Sequence, residues 1–453
     1  MKTNKIYILE TMPVARAIMH LAIPSVLSML VNILYNLTDT FFIGKLNDPY
    51  QVAAVSISLP LFTLQMAIAG IFGIGGGSYL SRLLGKKEYS AANETVSTSV
   101  FTSGVLSIFL GVGGILLIPQ FLALVGASGN TWIHANRYML IILLGSPVIL
   151  LKFTIIQLLR AEGAAKEAMI GLLIGTSMNI VLDPLFIFGF GMGVTGAAVA
   201  TVLGNACGMI YCLSYYLRKK SLVALTVKSL HFRWDCYREI LLIGIPASLS
   251  QIMMSIGNTI SFRLASLYSD LHVAALGVAF RVFSIPIFIF IGISIGIQAL
   301  VGYTYGAQNY HRMKQSIRTS LLISLSFSAV FTLLFALFPR ELILIFIKDE
   351  SLLGIGTVIL EAYVFAIPIA AAGMILMTSL QAMGKALPAL IVALSRQGIV
   401  YIPAIFILNK LFQFQGLAFA MPIADTITTI MSFTFVYLIL KRLPSRSHSG
   451  IEG

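Results

Sequence analysis

The stretch HLAIPSVLSMLVNILYNLTDTFFIG, residues 20–44, is mostly apolar and holds a single carboxylate, Asp39. About 20 apolar residues in a helix suffice to cross the roughly 30 Å hydrocarbon core of a bilayer, so the stretch predicts a membrane-spanning helix. Its segment IPSVLSML, from Ile23, returns as IPASLSQI, from Ile245. These residues therefore predict both the class of the fold and a repeat within it.

The whole chain has the composition of a membrane protein. Of its 453 residues, 58% are hydrophobic and 10% are charged, and the mean hydropathy is +0.93, whereas soluble domains average about 25% charged residues. Since lipid offers backbone groups no hydrogen-bond partners, the spans are expected to be helices. We predict an all-α membrane protein with twelve transmembrane helices, at about residues 17–44, 51–80, 93–118, 136–160, 167–191, 193–217, 238–268, 272–304, 315–338, 355–383, 386–409 and 414–440.

The distribution of positive charge predicts the orientation. By this assignment, 21 of the 30 Lys and Arg residues lie on the side that holds both termini, and cytoplasmic loops carry the excess of Lys and Arg. Both termini are therefore expected in the cytoplasm, with no cleavable signal peptide before the first span. The same bias accounts for the net charge of +13, so nucleic acid is not expected as a partner. The three cysteines match no metal or redox spacing and are expected to pack among apolar side chains.

Six sequence signposts recur in the same order about 221 residues apart. Examples are Gly163 in LLRAEGAAKEA with Gly384 in SLQAMGKALPA, and Gly196 with Gly416. Each half holds an even number of spans, which predicts parallel repeats. We expect an N-lobe at 1–217, a cytoplasmic linker at 218–238, and a C-lobe at 239–453 that ends in a short cytoplasmic tail. A central cleft between two such lobes would suit alternating access.

The two halves differ in their intramembrane acids. Asp39 aligns with Ile260 or Ser261, and Asp183 aligns with Ile402. A charge at the bilayer centre costs about 2.5–3.5 kcal/mol on insertion scales. Two acids kept in one half therefore require either compensation or a function.

The neighbours of these acids favour a function. Asn179 precedes Asp183 by four residues and Tyr35 precedes Asp39 by four, so each pair shares one helix face. Thr201 adds a hydroxyl on the sixth span. Carboxylate, amide and hydroxyl oxygens suit a proton or a hard cation such as Na⁺. The predicted coupling site, which would also hold Na⁺ if Na⁺ is the coupling ion, consists of Tyr35, Asp39, Asn179, Asp183 and Thr201.

Two alternatives remain open at this stage. Each acid could instead form a static ion pair with a base inside the membrane, for which Lys152, Arg263, Arg281 and Arg396 are available. Asp425, the acid of the second half, could pair with Arg396 or face the cleft. The substrate cleft is expected to use soft or polar side chains that repack around varied ligands, namely Gln157, Met254, Asn258, Phe283, Met377 and Asp425.

The ordered set of segments resembles the MATE (multidrug and toxic compound extrusion) family, and within it the MepA-like branch. The resemblance covers nearly the whole chain and includes HLAIPSVLSMLVNILYNLTDTFFIG, GIFGIGGGSYLSRLLGKKEYS, LLRAEGAAKEAMI and MNIVLDPLFIFGFGMGVTGAAVAT. It implies a multidrug efflux antiporter in the bacterial cytoplasmic (inner) membrane. Such proteins export amphipathic, often cationic drugs and dyes in exchange for H⁺ or Na⁺.

The resemblance also implies a first-lobe cation site. Its acid on the first span, its Asn-x-x-x-Asp pair on the fifth and its Thr on the sixth fall on Asp39, Asn179, Asp183 and Thr201. Some members also place acids on the seventh and tenth spans, whereas the stretches SQIMMSIGNTISFRL and AIPIAAAGMILMTSLQAM hold none. Coupling is therefore expected to run through the first lobe. We expect no cofactor besides the coupling ion, membrane lipid as surroundings, and function as a monomer.

Other classes of protein fit less well. A primary ATP-driven pump needs a phosphate-binding G-x-x-x-x-G-K-[ST] motif, which the sequence lacks. A channel does not explain why intramembrane acids such as Asp39 and Asp183 occur in one of the two repeats and lack counterparts in the other. The alternative is a lipid-linked oligosaccharide flippase of the same superfamily, whose anionic substrate would favour a basic cleft. None of these candidates is an enzyme.

Overall fold

The protein is described by a computed structural model that covers residues 2–127, 129–230, 232–345 and 350–444. In these ranges the regular structure is helical throughout. The predicted tail beyond residue 444 lies outside the described residues. The helices are α1 Lys2–Glu10, α2 Val14–Gly44, α3 Pro49–Gly85, α4 Tyr89–Leu116, α5 Ile118–Leu124, α6 Gly129–Leu144, α7 Ser146–Ala161, α8 Ala165–Pro184, α9 Val194–Leu217, α10 Trp234–Ser266, α11 Asp270–Gly306, α12 Tyr310–Leu337, α13 Pro339–Leu344, α14 Glu350–Ala382, α15 Ala386–Leu394 and α16 Tyr401–Arg442.

The helices supply the predicted number of membrane spans. Ten helical stretches within the described ranges are long and apolar enough to cross a membrane, and α6 with α7, bent by 52°, make an eleventh. The stretch Ala386–Arg442 has 57 residues, or about 85 Å of helix, and its backbone is non-helical at Gln413. Division at Gln413, inside the predicted loop, gives two spans. The predicted twelve-helix membrane fold is confirmed.

The backbone repeats its special conformations. Gly193, before α9, has φ 58° and ψ −139°, and Gln413, 220 residues later, has φ 53° and ψ −137°. Positive φ favours glycine because it has no Cβ, so Gln413 holds a conformation that its counterpart adopts without a side chain. Two further pairs of positive-φ residues recur at nearly the same spacing, Lys87 with Gln308 and Gly163 with Gly384, each 221 residues apart.

The contacts divide the chain into two compact units. Unit 1 contains the residues up to Ile8 together with Leu27–Ser248, and unit 2 contains Leu9–Val26 together with the chain from Leu249. The first part of α2 thus packs in unit 2, where a Cβ on Gly292 of α11 would lie 2.6 Å from the Cα of Val26. The lobe and linker boundaries at 217 and 238 stay a prediction.

The segment after α9 is fixed to unit 1 by one buried acid. Glu162 is fully buried, and its Oε1 lies 2.8 Å from Nζ of Lys5 in α1. Its Oε2 accepts hydrogen bonds from the Ser221 hydroxyl and, at 3.1 Å, from the Leu222 N–H. A buried charge needs such partners, so Glu162 ties both α1 and the start of the linker to the end of α7.

Candidate functional site

Close packing of α8 on α9 brings the polar residues of unit 1 together. A Cβ on Gly204 would lie 2.6 Å from the Gly175 carbonyl oxygen, and one on Gly175 would lie 2.8 Å from the Gly204 carbonyl oxygen. Only glycines permit this approach, and small residues are typical of helix contacts inside membranes. The contact sets Asn179, one turn after Gly175, beside the first half of α9.

The acid on α8 is held by its predicted partner. Asp183 is fully buried and Asn179 is 3% exposed, and the Asn179 amide Nδ2 donates to Asp183 Oδ1 at 3.2 Å. Asp183 Oδ2 and Asn179 Oδ1 are buried without a hydrogen-bond partner among the described residues. Unpaired buried oxygens are costly. The carboxylate oxygen of Asp183 can take up a proton, and both oxygens are of the type that coordinates a hard cation.

The acid on α2 lies in the same group. Tyr35 and Thr201 approach to 3.4 Å between their hydroxyl oxygens. Asp39 is half-buried and lies close enough to interact electrostatically with Asp183 and with Tyr35. The structure therefore brings together all five residues of the predicted coupling site.

The alternative of static ion pairs does not hold for these two acids. Within the described ranges, no Lys, Arg or His lies within 4.0 Å of the carboxylate of Asp39 or Asp183. Lys152, the base of the first repeat, instead donates from Nζ to Asn205 Oδ1 at 3.0 Å. Both carboxylates are thus available to a mobile cation.

A change of helix type follows Asp183. The α-helix ends at Pro184, and residues Leu185–Gly189 continue as a π-helix. Proline removes an intrahelical hydrogen bond, and π-helical turns are frequent at functional sites. The irregular backbone thus begins two residues after the acid, directly after Pro184.

One residue near the site was missed by the sequence reasoning. Tyr138 of α6 lies in electrostatic range of Asp39, Asp183 and Tyr35. For Tyr138 the sequence offered no signal, since one aromatic residue in an apolar span is ordinary. Asn205, four residues after Thr201, shares its helix face by sequence spacing, and besides accepting from Lys152 it donates to the Thr201 carbonyl at 2.7 Å.

In unit 2 the intramembrane acid has a base. Arg396 Nε donates to Asp425 Oδ1 at 2.7 Å, and the Asp425 side chain is 2% exposed. Of the two alternatives for Asp425, the structure shows pairing with Arg396. Asp425 is also the one buried carboxylate among the described side chains of unit 2, so this unit offers no unpaired buried acid.

The residues predicted for the substrate cleft occupy varied surroundings. Gln157 lies in unit 1, buried, and accepts from Arg160 Nη1 at 2.8 Å. Phe283 is buried in unit 2 with its ring centroid 4.4 Å from that of Tyr363, so it belongs to the apolar core of that unit. Met254 is 39% exposed, while Asn258 and Met377 are half-buried in unit 2.

Similar proteins agree with this architecture. The family model MatE matches residues 24–185 and 246–407, one match in each repeat. The multidrug export protein MepA of Staphylococcus aureus strain NCTC 8325 is 31% identical over the full length of both chains. A solved structure of a MATE protein in complex with MaL6 superimposes with a TM-score of 0.92 at 25% identity, covering 97% of this chain and 98% of the other.

A further solved structure shows the same fold. It is described as the outward-facing conformation of a multidrug resistance MATE family transporter, and it superimposes with a TM-score of 0.91 at 24% identity, over 97% of this chain and 98% of the other. The resemblance inferred from the sequence is thereby confirmed. With a family match in both repeats and a full-length relative at 31% identity, the chain belongs to the MatE family.

Proposed function

We propose that this protein exports amphipathic, often cationic drugs and dyes across the membrane in exchange for inward-moving H⁺ or Na⁺. Its relative from S. aureus is a multidrug export protein, which supports drug efflux and does not favour the flippase alternative. The observation that carries ion coupling is the pair Asp39 and Asp183 in unit 1. Asp183 is buried with one oxygen unpaired, Asp39 is half-buried, and neither has a basic partner among the described residues.

The coupling step follows from the charge of this pair. Two nearby carboxylates in a medium of low dielectric repel each other, so a proton or Na⁺ that binds there removes a large electrostatic penalty. Binding would change how α2 packs against α8 and α9, because Asp39 and Tyr35 lie on α2 and their partners lie on the other two helices. In the proposed cycle, this change lowers the affinity of the outward-facing protein for the drug, which is released outside. Release of the cation into the cytoplasm then restores the affinity for the drug.

The driving force is sufficient for useful export. One elementary charge that moves inward across 100 mV releases about 2.3 kcal/mol. Since about 1.4 kcal/mol corresponds to a factor of ten, one ion exchanged for one uncharged drug molecule can sustain a roughly fiftyfold concentration ratio. Exchange of one ion for one monovalent cationic drug moves no net charge, so it is driven by the concentration gradient of the ion alone.

Neutral replacements of the two acids test the coupling site. Asp39→Asn and Asp183→Asn should each reduce efflux of a cationic dye from energised cells at least tenfold, because an amide neither binds a proton nor balances Na⁺. Asp48→Asn is the matched control, since Asp48 caps α3 by accepting from the Tyr50 N–H at 2.9 Å and asparagine caps helices equally well.

The control should keep full efflux, and all three variants should reach the membrane in equal amounts. Wild-type efflux by both Asp39→Asn and Asp183→Asn would refute the assignment of the site. Dye transport into inside-out vesicles is measured with a pH gradient alone and with a Na⁺ gradient alone. The gradient that is sufficient to drive transport identifies the coupling ion.

A further inference from the structure

A polar cavity of about 280 Å³ lies in unit 1, between the N-terminal end of α4 and the linker that precedes α10. The linker is fixed against α4 because Asn93 Oδ1 accepts from the Ala224 N–H at 2.7 Å and Ser97 Oγ accepts from the Thr226 N–H at 3.3 Å. The cavity is therefore a formed site. Its walls are Ser90, Asn93, Glu94, Lys228, Ser229 and Arg233.

One wall of the cavity presents an unsatisfied acid. Glu94 is 9% exposed, and its Oε1 is buried with no hydrogen-bond partner among the described residues. Its other oxygen lies 3.7 Å from Arg233 Nη1, beyond the length of a good hydrogen bond. A buried carboxylate oxygen left unpaired is costly, so this wall favours a ligand that carries an N–H donor with positive charge.

Basic residues in the same cavity favour an anion. Lys228 and Arg233 both line it, and the Glu88 side chain makes no capping hydrogen bond at the start of α4. In the second repeat, Asn309 does cap its helix by accepting from the Arg312 N–H at 3.1 Å. Uncapped N–H groups and the helix dipole attract phosphate at a helix N-terminus.

The surroundings of the cavity resemble those of the membrane–water interface. Phe232 and Trp234 flank Arg233 in sequence and are 80% and 71% exposed. Exposed aromatic side chains beside basic ones are typical of the membrane–water interface, and α4 is one of the membrane-spanning helices.

We propose that this cavity binds the phosphoethanolamine headgroup of a membrane phospholipid. The phosphate faces Lys228 and Arg233 at the N-terminal end of α4, and the ammonium donates to the Glu94 carboxylate. A phosphatidylglycerol headgroup lacks the positive charge that Glu94 requires, and a phosphatidylcholine headgroup lacks the N–H donor. The site thus distinguishes phosphatidylethanolamine from the other two lipids by chemistry that its own residues supply.

Lipid retention by the full-length protein tests the proposal. Protein purified in mild detergent is equilibrated with an equimolar mixture of phosphatidylethanolamine, phosphatidylglycerol and phosphatidylcholine, and the retained lipids are counted by native mass spectrometry. The wild type should retain phosphatidylethanolamine at least fivefold over phosphatidylcholine. Glu94→Gln should bring this ratio close to one, whereas the exposed Glu88→Gln, its matched control on the same helix end, should keep the wild-type ratio.

A second variant and soluble competitors complete the test. Lys228→Gln, at an exposed position that does not threaten folding, should lower retention of phosphatidylethanolamine at least threefold. Soluble glycerophosphoethanolamine should displace the lipid, and inorganic phosphate at equal concentration should not, because it lacks the ammonium. Equal lipid ratios for Glu94→Gln and Glu88→Gln, or equal displacement by phosphate, would overturn the proposal.

Discussion

Two buried carboxylates of similar depth differ in their neighbours, and we propose different roles for them on that ground. Asp183 is fully buried and Asp425 is 2% exposed, yet Asp183 has only an amide as its hydrogen-bond partner, whereas Asp425 has the Arg396 guanidinium. A paired charge is already compensated, while a carboxylate bonded to a neutral amide still attracts a cation. Burial alone therefore does not identify the coupling residue.

The pair in unit 2 should behave as a structural ion pair. Arg396→Met should lower the free energy of unfolding in mixed micelles by roughly 3–5 kcal/mol, because it leaves Asp425 buried and uncompensated. The double variant Arg396→Met with Asp425→Asn should recover most of that loss. Lys86→Met, which breaks an exposed 3.9 Å pair with Glu88, should cost under about 1 kcal/mol. A double variant no more stable than Arg396→Met would show that the pair is not coupled.

The sequence was sufficient to predict the residues that share a spacing. Asp39 and Asp183 were found because they lack counterparts in the second repeat, and Asn179 was found because it lies four residues before Asp183. Tyr138 joins the same group from another helix. Its place depends on how α6 packs, and no pattern within its own span encodes that contact.

At the scale of the helices, the repeat is kept even where the residue type is unfavourable. The helical backbone is interrupted before α9 at Gly193, and it is interrupted at the matching place in the second repeat at Gln413, which has φ 53°. A non-glycine residue in such a region costs of order 1–3 kcal/mol, and yet the conformation is retained. The break is therefore required by the fold, since it ends one span and starts the next.

Glycine at the second break should stabilise the protein. Gln413→Gly should raise the free energy of unfolding by about 1 kcal/mol, because it removes the strain of the positive φ and loses part of that gain to chain entropy. Gln415→Gly, two residues later in regular helix, is the matched control and should cost about 1 kcal/mol. Thermal unfolding, monitored by size-exclusion chromatography, gives the shift in unfolding temperature of each variant. Shifts of the same sign for the two variants would contradict the interpretation that the backbone is strained at Gln413.

Helices that span the membrane were predictable, and the short ones were not. A span needs about 20 apolar residues, which leaves a strong signal even across the break at Gln413. By contrast α1, α5 and α13 have nine, seven and six residues, too few for periodicity to identify. The contacts of α1 further depend on Glu162, which lies 157 residues from Lys5.

At the scale of the whole chain, the repeat was predictable but the exchange of segments was not. The first part of α2 packs in unit 2, and the first part of α10, up to Ser248, packs in unit 1. Close approaches explain both, since Gly296 admits Ala22 and Gly75 admits Ile240. Each glycine was visible in the sequence, but its partner belongs to the other repeat, so a comparison of equivalent positions cannot reveal it.

The even number of spans makes a prediction about orientation that involves the whole molecule. In a background with the three cysteines replaced by alanine, single cysteines are introduced at four exposed positions. Lys45→Cys and Lys410→Cys, one in each repeat, should react with a membrane-impermeant maleimide in intact cells. Lys86→Cys and His311→Cys should react only after the membrane is opened, since they lie in the loops rich in Lys and Arg that the positive-inside rule assigns to the cytoplasm.

The four positions together separate orientation from architecture. Complete reversal of the labelling would keep the twelve spans and show that both termini lie outside the cytoplasm, contrary to the prediction from the positive charges. Labelling of Lys86→Cys and His311→Cys on opposite sides would instead contradict parallel repeats, because these two residues lie at equivalent connections of the two repeats, after α3 and after α11. Parallel insertion follows from six spans in each half, so matching labels within each pair are what this fold requires.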